Sequence, residues 1–206
     1  MTTILAPSHL LAFSTLLGAQ LHQTFLVTSL NFTHLPRPAF KTLQKAAFPA
    51  YFRAQTVLVV LTVVTGPAAA GGLLGLVGET GSATTARAGA TWDSAALGVA
   101  LATALANWLV YSPRTIVAMD ARTRLETRAR EKEKKKQIDQ GEELKDGDSG
   151  ENQTELPIVN AEASPELKAA ARNFSRNHAM SIHLNLITII ATLVYGWGLA
   201  GRMSFS

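Results

Sequence analysis

Five histidines and a few uncharged polar residues are the side chains of this chain that could do chemistry. A metal site needs histidines, cysteines or carboxylates on one face, and the chain has no cysteine. On a helix His9 and His22 would lie about 220° apart, and His178 and His183 about 140° apart. The sequence contains no nucleophile elbow, phosphate-binding loop or carboxylate pair within an apolar segment. It therefore predicts no metal site, no cofactor and no enzyme.

The remaining polar residues lie within long apolar segments or at their ends. The candidate intramembrane polar network comprises Gln20, His22, Asn107, His178, Ser181 and Asn185. The last three fall within about 60° of each other on a helix. Such residues either join helices through hydrogen bonds of roughly 0.6–2 kcal/mol each or line a polar path for a small solute. Because the apolar segments carry no charged residue, we expect Asn107, His178, Ser181 and Asn185 to form a dry, packed network near the cytosolic half of helices three and four.

Four uncharged apolar segments position these residues. The segments are Pro7–Leu30, Ala54–Gly78, Ser94–Tyr111 and Ala179–Gly201. A helix needs about 20 such residues to cross a bilayer, and backbone hydrogen bonding in lipid favours complete helices. Ser14 and Gly18 form a pair of small residues that lets a neighbouring helix approach, and Gly66-Pro67 is expected to kink the second helix. The sequence predicts an all-α polytopic membrane protein, a bundle of four transmembrane helices.

The stretch Asn31–Phe52 joins the first two segments and is basic. Pro38 suits the first position of a helix, and Pro49 is expected to end that helix. Lys41 and Lys45 lie away from its apolar face, as in a short helix at a membrane interface. An ordinary polar loop with one helical turn is the alternative.

The third segment is followed by a long charged region. Past Pro113 a helical pattern resumes and carries a run of basic residues. Residues 137–163 are acidic and poor in large apolar side chains, which predicts disorder. Ser164 and Pro165 then suit the cap and first position of a helix that leads into the fourth segment. The predicted organisation is residues 1–136, a disordered linker 137–163 and residues 164–206, within a single membrane domain.

The distribution of basic residues predicts orientation. Of the nineteen lysines and arginines, four lie in residues 37–53 and thirteen in residues 112–178. Four crossings place only Arg87 and Arg202 on the other side, so both termini should face the lumen or exterior and both long loops the cytosol. The net charge of +4 does not indicate nucleic-acid binding, because the basic residues flank apolar segments and no recognition module occurs.

The basic side suggests contact with anionic lipid, with a merely solvated helix as the alternative. The candidate headgroup contacts are Arg37, Lys41, Lys45, Arg114, Arg122 and Arg124. We therefore expect a membrane scaffold or interaction protein with a basic, lipid-facing cytosolic side. The alternative is a small-solute transporter or channel that uses a polar interhelical path. Expected partners are the lipid bilayer and either a second copy or another protein, bound through the cytosolic loop.

Short motifs along the chain also carry a resemblance to a known family. They are His9-Leu10-Leu11, Gly18, Gln20, Leu35-Pro36-Arg37, Phe40, Gln44, Phe48-Pro49, Tyr51-Phe52, Asn107, Pro113-Arg114-Thr115, Met119, Asn173-Phe174, Arg176, His178, Ser181 and Asn185-Leu186. At this spacing they resemble the transmembrane protein 205 family across all four helices. The resemblance implies a four-helix membrane domain without assigned chemistry. This chain departs from the family in its longer acidic segment and its lack of cysteine.

Overall fold

The computed structural model describes residues 2–66, 84–139 and 164–202, and these residues form four long helical runs. Two of the runs are interrupted by a π segment, where the helix widens by one residue. The elements are α1 (Thr2–Leu21), the first π segment (His22–Val27), α2 (Thr28–His34), α3 (Arg37–Thr65), α4 (Thr84–Ala106), the second π segment (Asn107–Tyr111), α5 (Ser112–Asp139) and α6 (Pro165–Ala200). The described residues contain no β-strand.

All four runs include a helix long and apolar enough to cross a membrane. The candidate spans are Ile4–His34, Arg37–Thr65, Trp92–Lys136 and Pro165–Ala200. Large apolar side chains are exposed along them, as is typical of a surface that faces lipid; on α6, Leu186 and Ile190 are 50% and 51% exposed. The predicted all-α, four-helix membrane fold is thereby confirmed.

The helix that was expected to end at Pro49 continues through that residue. α3 runs unbroken from Arg37 to Thr65, so the predicted interfacial helix and the second membrane helix are one element. Proline removes one backbone hydrogen bond, and a helix in a membrane tolerates this loss because neighbouring groups satisfy the freed carbonyl. Pro49 therefore lies inside α3, and the helix extends over the apolar residues that follow it.

The far end of α3 also differs from the prediction. Gly66 is extended, with φ −74° and ψ 161°, so the helix ends there instead of kinking. The following residue is Pro67, and steric contact with a proline ring disfavours the helical conformation in the residue before it. The rest of the predicted second helix, residues 67–78, lies outside the described residues.

The third helical run passes Pro113 without a break. In the second π segment the backbone N–H of Ser112 donates to the carbonyl of Asn107, five residues earlier. Pro113 has no N–H, and its ring crowds the carbonyl four residues before it, so a widened turn at this point accommodates the proline. α5 then extends to Asp139, and the remainder of the predicted disordered linker, residues 140–163, lies outside the described residues.

Two compact units make up the chain. The first comprises residues 1–112 and 181–206, and its apolar core is built mainly of small and medium side chains: Leu16, Val59, Ala96, Leu97, Ala100, Ala104 and Ala191. Alanine at helix contacts allows the backbones to approach closely, which is how helices pack in lipid. The predicted small pair does not take part, because Ser14 and Gly18 are exposed.

The second unit comprises residues 113–180. Its α6 portion begins as predicted, with the Ser164 hydroxyl accepting a hydrogen bond from the backbone N–H of Leu167 at 3.3 Å. In the same unit the Arg122 guanidinium lies 5.8 Å from the centroid of the Phe174 ring and pairs with Glu126 at 2.7 Å. This unit contains the basic helix surface that the sequence indicates.

Candidate functional site

One face of α6 carries a regular series of polar residues within the first unit. The series, which we call the α6 polar stripe, comprises Ser181, Asn185, Thr188, Thr192 and Tyr195. Alternating steps of four and three residues keep side chains on one face of a helix, and this stripe extends for about 21 Å. All except Asn185 are at least 94% buried. The stripe therefore faces the interior of the bundle across much of the membrane.

Ser181 pairs with Asn107 of the second π segment. The Asn107 Nδ2 donates to the Ser181 carbonyl at 2.9 Å, and the Ser181 hydroxyl donates to Asn107 Oδ1 at 2.6 Å. Asn107 is completely buried and Ser181 is 6% exposed. The Asn107 amide is thus bonded through both its nitrogen and its oxygen to one buried residue of α6.

Asn185 joins three helical runs through one amide. Its Oδ1 accepts hydrogen bonds from Tyr51 Oη and from Gln55 Nε2, both at 3.0 Å. Its Nδ2 donates to Thr24 Oγ1 in the first π segment at 3.3 Å. The amide of Asn185 therefore connects α6 to α3 and to the first π segment.

The two threonines of the stripe contact α4 and α1. The Thr188 hydroxyl lies 2.8 Å from that of Thr103 on α4, and the Gln20 Nε2 of α1 donates to Thr192 Oγ1 at 3.3 Å. Both stripe hydroxyls also donate to carbonyls of their own helix at 2.8 Å. These contacts hold α6 against α1 and α4.

Tyr195 closes the stripe against His9. The Tyr195 Oη lies 2.6 Å from His9 Nε2, and His9 Nδ1 lies 3.2 Å from Thr65 Oγ1. The Phe13 ring packs edge-on against Tyr195, with 5.7 Å between centroids. The imidazole is therefore held through both nitrogens by uncharged hydroxyls.

An ion pair joins α4 to the residues that follow α6, near Tyr195 and His9. The Arg202 guanidinium pairs with the Asp93 carboxylate, and Asp93 also lies close to Gly198 of α6. Arg202 is 44% exposed, so this pair is at the surface of the unit. It contributes a further link between α4 and the C-terminal residues.

Chemically, the stripe and its partners are neutral hydrogen-bonding groups from all four helical runs. Among the described residues no group of three histidine or carboxylate side chains could hold a metal ion. Some buried amide atoms have no hydrogen-bond partner among the described residues: Gln20 Oε1, Gln23 Nε2, Gln55 Oε1 and both side-chain atoms of Gln44. The arrangement can join helices, and its unpaired amide atoms could also contact a small polar molecule.

The structure divides the predicted polar network. Asn107 and Ser181 contact each other directly, and Gln20 and Asn185 join other parts of the stripe. His22 is exposed and lies outside the stripe. The sixth member, His178, belongs to the second unit, where its ring stacks on Phe174.

Sequence reasoning missed most members of the stripe and most of the residues around it. The missed residues are His9, Thr24, Tyr51, Gln55, Thr65, Thr103, Thr188, Thr192 and Tyr195. The signal for the α6 members was the alternation of three and four residues in the last apolar segment. Their partners give no such signal, because each is a single polar residue in an apolar helix.

The candidate headgroup contacts differ in their surroundings. Arg37, Lys41 and Lys45 are exposed near the start of α3, and Arg114 and Arg124 are exposed on α5. The sixth, Arg122, is engaged with Glu126 and Phe174. Its guanidinium is therefore held by contacts within the second unit.

Fold and contacts together define a multi-pass membrane protein in which α6 is hydrogen-bonded to all three of the helical runs that precede it. The chain belongs to the family described as a domain of unknown function, DUF4149, whose model matches residues 11–124. It is also 30% identical over 199 residues to "Xanthocillin biosynthesis cluster protein D" of Aspergillus fumigatus. That similarity covers 97% of this chain and 91% of the relative. No solved structure matches the chain significantly.

Proposed function

We propose that this protein is a membrane scaffold or interaction protein without enzymatic activity. The observation that carries the proposal is the contact of Asn107 with Ser181, in which a buried amide donates to the Ser181 carbonyl and accepts from the Ser181 hydroxyl. Polar groups that are consumed in joining helices are not available to bind a substrate. A relation to the transmembrane protein 205 family, a four-helix domain without assigned chemistry, is part of the same proposal.

The similarity to the fungal relative is compatible with this role. Its name assigns that protein to a biosynthesis cluster and specifies no reaction. The proposal that this chain is not an enzyme rests on its own residues, since the stripe and its partners consist of amides, hydroxyls and one imidazole.

The second part of the proposal concerns the basic surface of α5. The exposed basic residues there are Arg124, Arg128, Arg130, Lys132, Lys134, Lys135 and Lys136. We propose that this surface is cytosolic, because most lysines and arginines flank the same ends of the apolar segments. Each basic residue near an anionic leaflet contributes about 1 kcal/mol of attraction. The surface would then hold α5 close to the membrane.

A transporter or channel is the second candidate, and one observation favours it. Gln20 Oε1 and Gln55 Oε1 are buried acceptors without a hydrogen-bond partner among the described residues. An unpaired buried amide costs about 1–3 kcal/mol, a cost that a bound solute or water would remove. The two candidates therefore differ in whether water reaches the α6 polar stripe.

Cysteine accessibility distinguishes them, and the chain offers no native cysteine to remove. Single cysteines at Asn107 and Asn185 should react slowly with a small water-soluble thiol reagent. One at Thr127, which is exposed on the charged helix α5 outside the apolar segments, should react rapidly and serves as the control. Rapid reaction at both buried positions, together with flux of a small neutral solute such as urea into liposomes, would replace the scaffold proposal by the transporter.

A further inference from the structure

An open groove lies in the second unit, separate from the α6 polar stripe. It has a volume of about 470 Å³ and lies between residues of α5 and of the α6 portion of that unit. Arg114 and Arg176 face it from the two helices, together with Asn173, Asn177 and Val117. Two arginines from different helices thus line one space.

The chain positions of the two arginines match each other. Arg114 follows Tyr111, the last residue of the third apolar segment, by three residues, and Arg176 precedes Ala179, the first residue of the fourth, by three residues. Three residues of helix correspond to about 4.5 Å. The headgroup layer outside each face of the hydrocarbon core is roughly 5–8 Å thick. Along the helices, both arginines therefore lie within the thickness of one headgroup layer from the end of an apolar segment.

The groove is complementary to an anion. None of the residues that line it is acidic, and neither Arg114 nor Arg176 forms an ion pair with another described residue. This distinguishes them from Arg122 in the same unit, which Glu126 neutralises. Guanidinium groups bind phosphate oxygens through two parallel hydrogen bonds, so two of them can hold one phosphate from both sides.

The remaining lining suits the rest of a lipid headgroup. Asn177 Nδ2 donates to the backbone carbonyl and to the Oδ1 of Asn173, both at 2.9 Å. These bonds fix the Asn173 amide by its oxygen and leave its N–H groups as donors. Val117 is 69% exposed and supplies an apolar surface for the glycerol or the first carbons of an acyl chain.

We infer that Arg114 and Arg176 form a binding site for the phosphate of an anionic phospholipid, with a preference for a phosphomonoester headgroup. A phosphomonoester carries a charge of about −1.5 to −2, which matches two guanidinium groups better than the single charge of a phosphodiester does. The inference rests on the proposed lipid-facing side of the protein and adds a defined site to it.

The test measures lipid binding to the full-length protein in detergent by native mass spectrometry. Phosphatidic acid is titrated against phosphatidylcholine, with wild type and two double variants that lose the same charge. R114Q/R176Q removes the groove arginines, and R128Q/R130Q removes two exposed arginines of α5 outside it. We expect the affinity for phosphatidic acid to fall about tenfold in the first variant and less than about threefold in the second.

The outcomes separate the site from the general proposal. Equal losses in the two double variants would overturn the site and leave the lipid-facing surface intact as a diffuse attraction. A wild type without preference for phosphatidic acid would overturn both. Soluble glycerol phosphate that competes as well as the lipid would show that the site takes a free phosphate ester, which also contradicts the inference.

A charge-conserving variant distinguishes loss of the binding site from loss of folding. R114K/R176K keeps both positive charges and removes the planar fork of donors. Its affinity for phosphatidic acid should lie between those of wild type and R114Q/R176Q, at an unchanged melting temperature. An affinity equal to that of wild type would contradict a site that depends on the paired hydrogen bonds of the two guanidinium groups.

Discussion

At the scale of single residues, Asn107 and Ser181 form a doubly hydrogen-bonded contact inside the bundle. The Asn107 amide donates to the Ser181 backbone carbonyl and accepts from the Ser181 hydroxyl, and both residues are buried. In such a site the removal of one partner leaves the other without a replacement. The sequence could suggest this pair, since both residues were candidates, but it could not indicate that they contact each other.

The corresponding prediction is that Asn107→Ala lowers the free energy of unfolding by roughly 1 kcal/mol, because Ser181 loses its partner. Ser181→Ala should cost a similar amount, and the double variant less than the sum, as measured by unfolding in mixed micelles. Thr33→Val is the control, since the exposed Thr33 hydroxyl bonds only to the Ser29 carbonyl of its own helix. Strict additivity of the two changes would refute a direct interaction.

At the scale of elements, α6 is the common partner of the other helical runs. Its contacts require close approach at Gly196, where an added Cβ would lie 2.6 Å from Phe13 Cζ. Phe13 in turn packs against Tyr195, so this contact supports the hydrogen bond between Tyr195 and His9. Glycine at this position allows α1 and α6 to approach each other.

We therefore expect Gly196→Ala to lower the melting temperature of the detergent-solubilised protein by several degrees, because Phe13 must move away from Tyr195. Gly18→Ala is the matched control on α1, since an added Cβ there meets nothing within 4 Å. Helix propensity alone favours alanine at both sites. Similar melting temperatures for the two variants would mean that α1 and α6 do not pack closely at Gly196.

The helices themselves could largely be predicted from sequence, and their details could not. Long uncharged segments specify spans because burial of charge in lipid is costly. The continuation of α3 through Pro49 and the π segments were not predictable, because a proline in an apolar helix is tolerated or not according to its neighbours. Thr103 and Gln55 illustrate the same limit for the site, since their partners on α6 are distant in sequence.

At the scale of the whole molecule, the distribution of basic residues predicts the orientation of the helices in the membrane. Seventeen of the nineteen lysines and arginines lie in residues 37–53 and 112–178. Charge near the ends of helices sets orientation more strongly than net charge does. The predicted arrangement has both termini on the lumenal or exterior side.

Epitope tags test this arrangement. Tags at either terminus should be protected from a protease added to the cytosolic side of sealed vesicles, and a tag after Gly150 should be cleaved. Glycosylation of the sequon at Asn152 in the secretory pathway would reverse the predicted orientation.

A deletion tests the acidic segment. Removal of residues 140–163, replaced by a short Gly-Ser linker, should leave the melting temperature unchanged, because a segment so poor in apolar residues buries little surface. Replacing the same residues by a scrambled sequence of equal composition is the control. A clear fall in melting temperature after deletion alone would show that the segment binds the helices.

The α6 polar stripe has a consequence for the order in which the protein is made. α6 leaves the ribosome after the other described helices, and the residues to which its stripe bonds, among them His9, Gln20, Gln55 and Asn107, all precede it in the chain. Until α6 arrives, those side chains stand in the membrane without their final partners. A chain that stops short of its last helix would thus display unpaired amides and an imidazole to the lipid, the kind of signal by which a cell recognises an unfinished membrane protein.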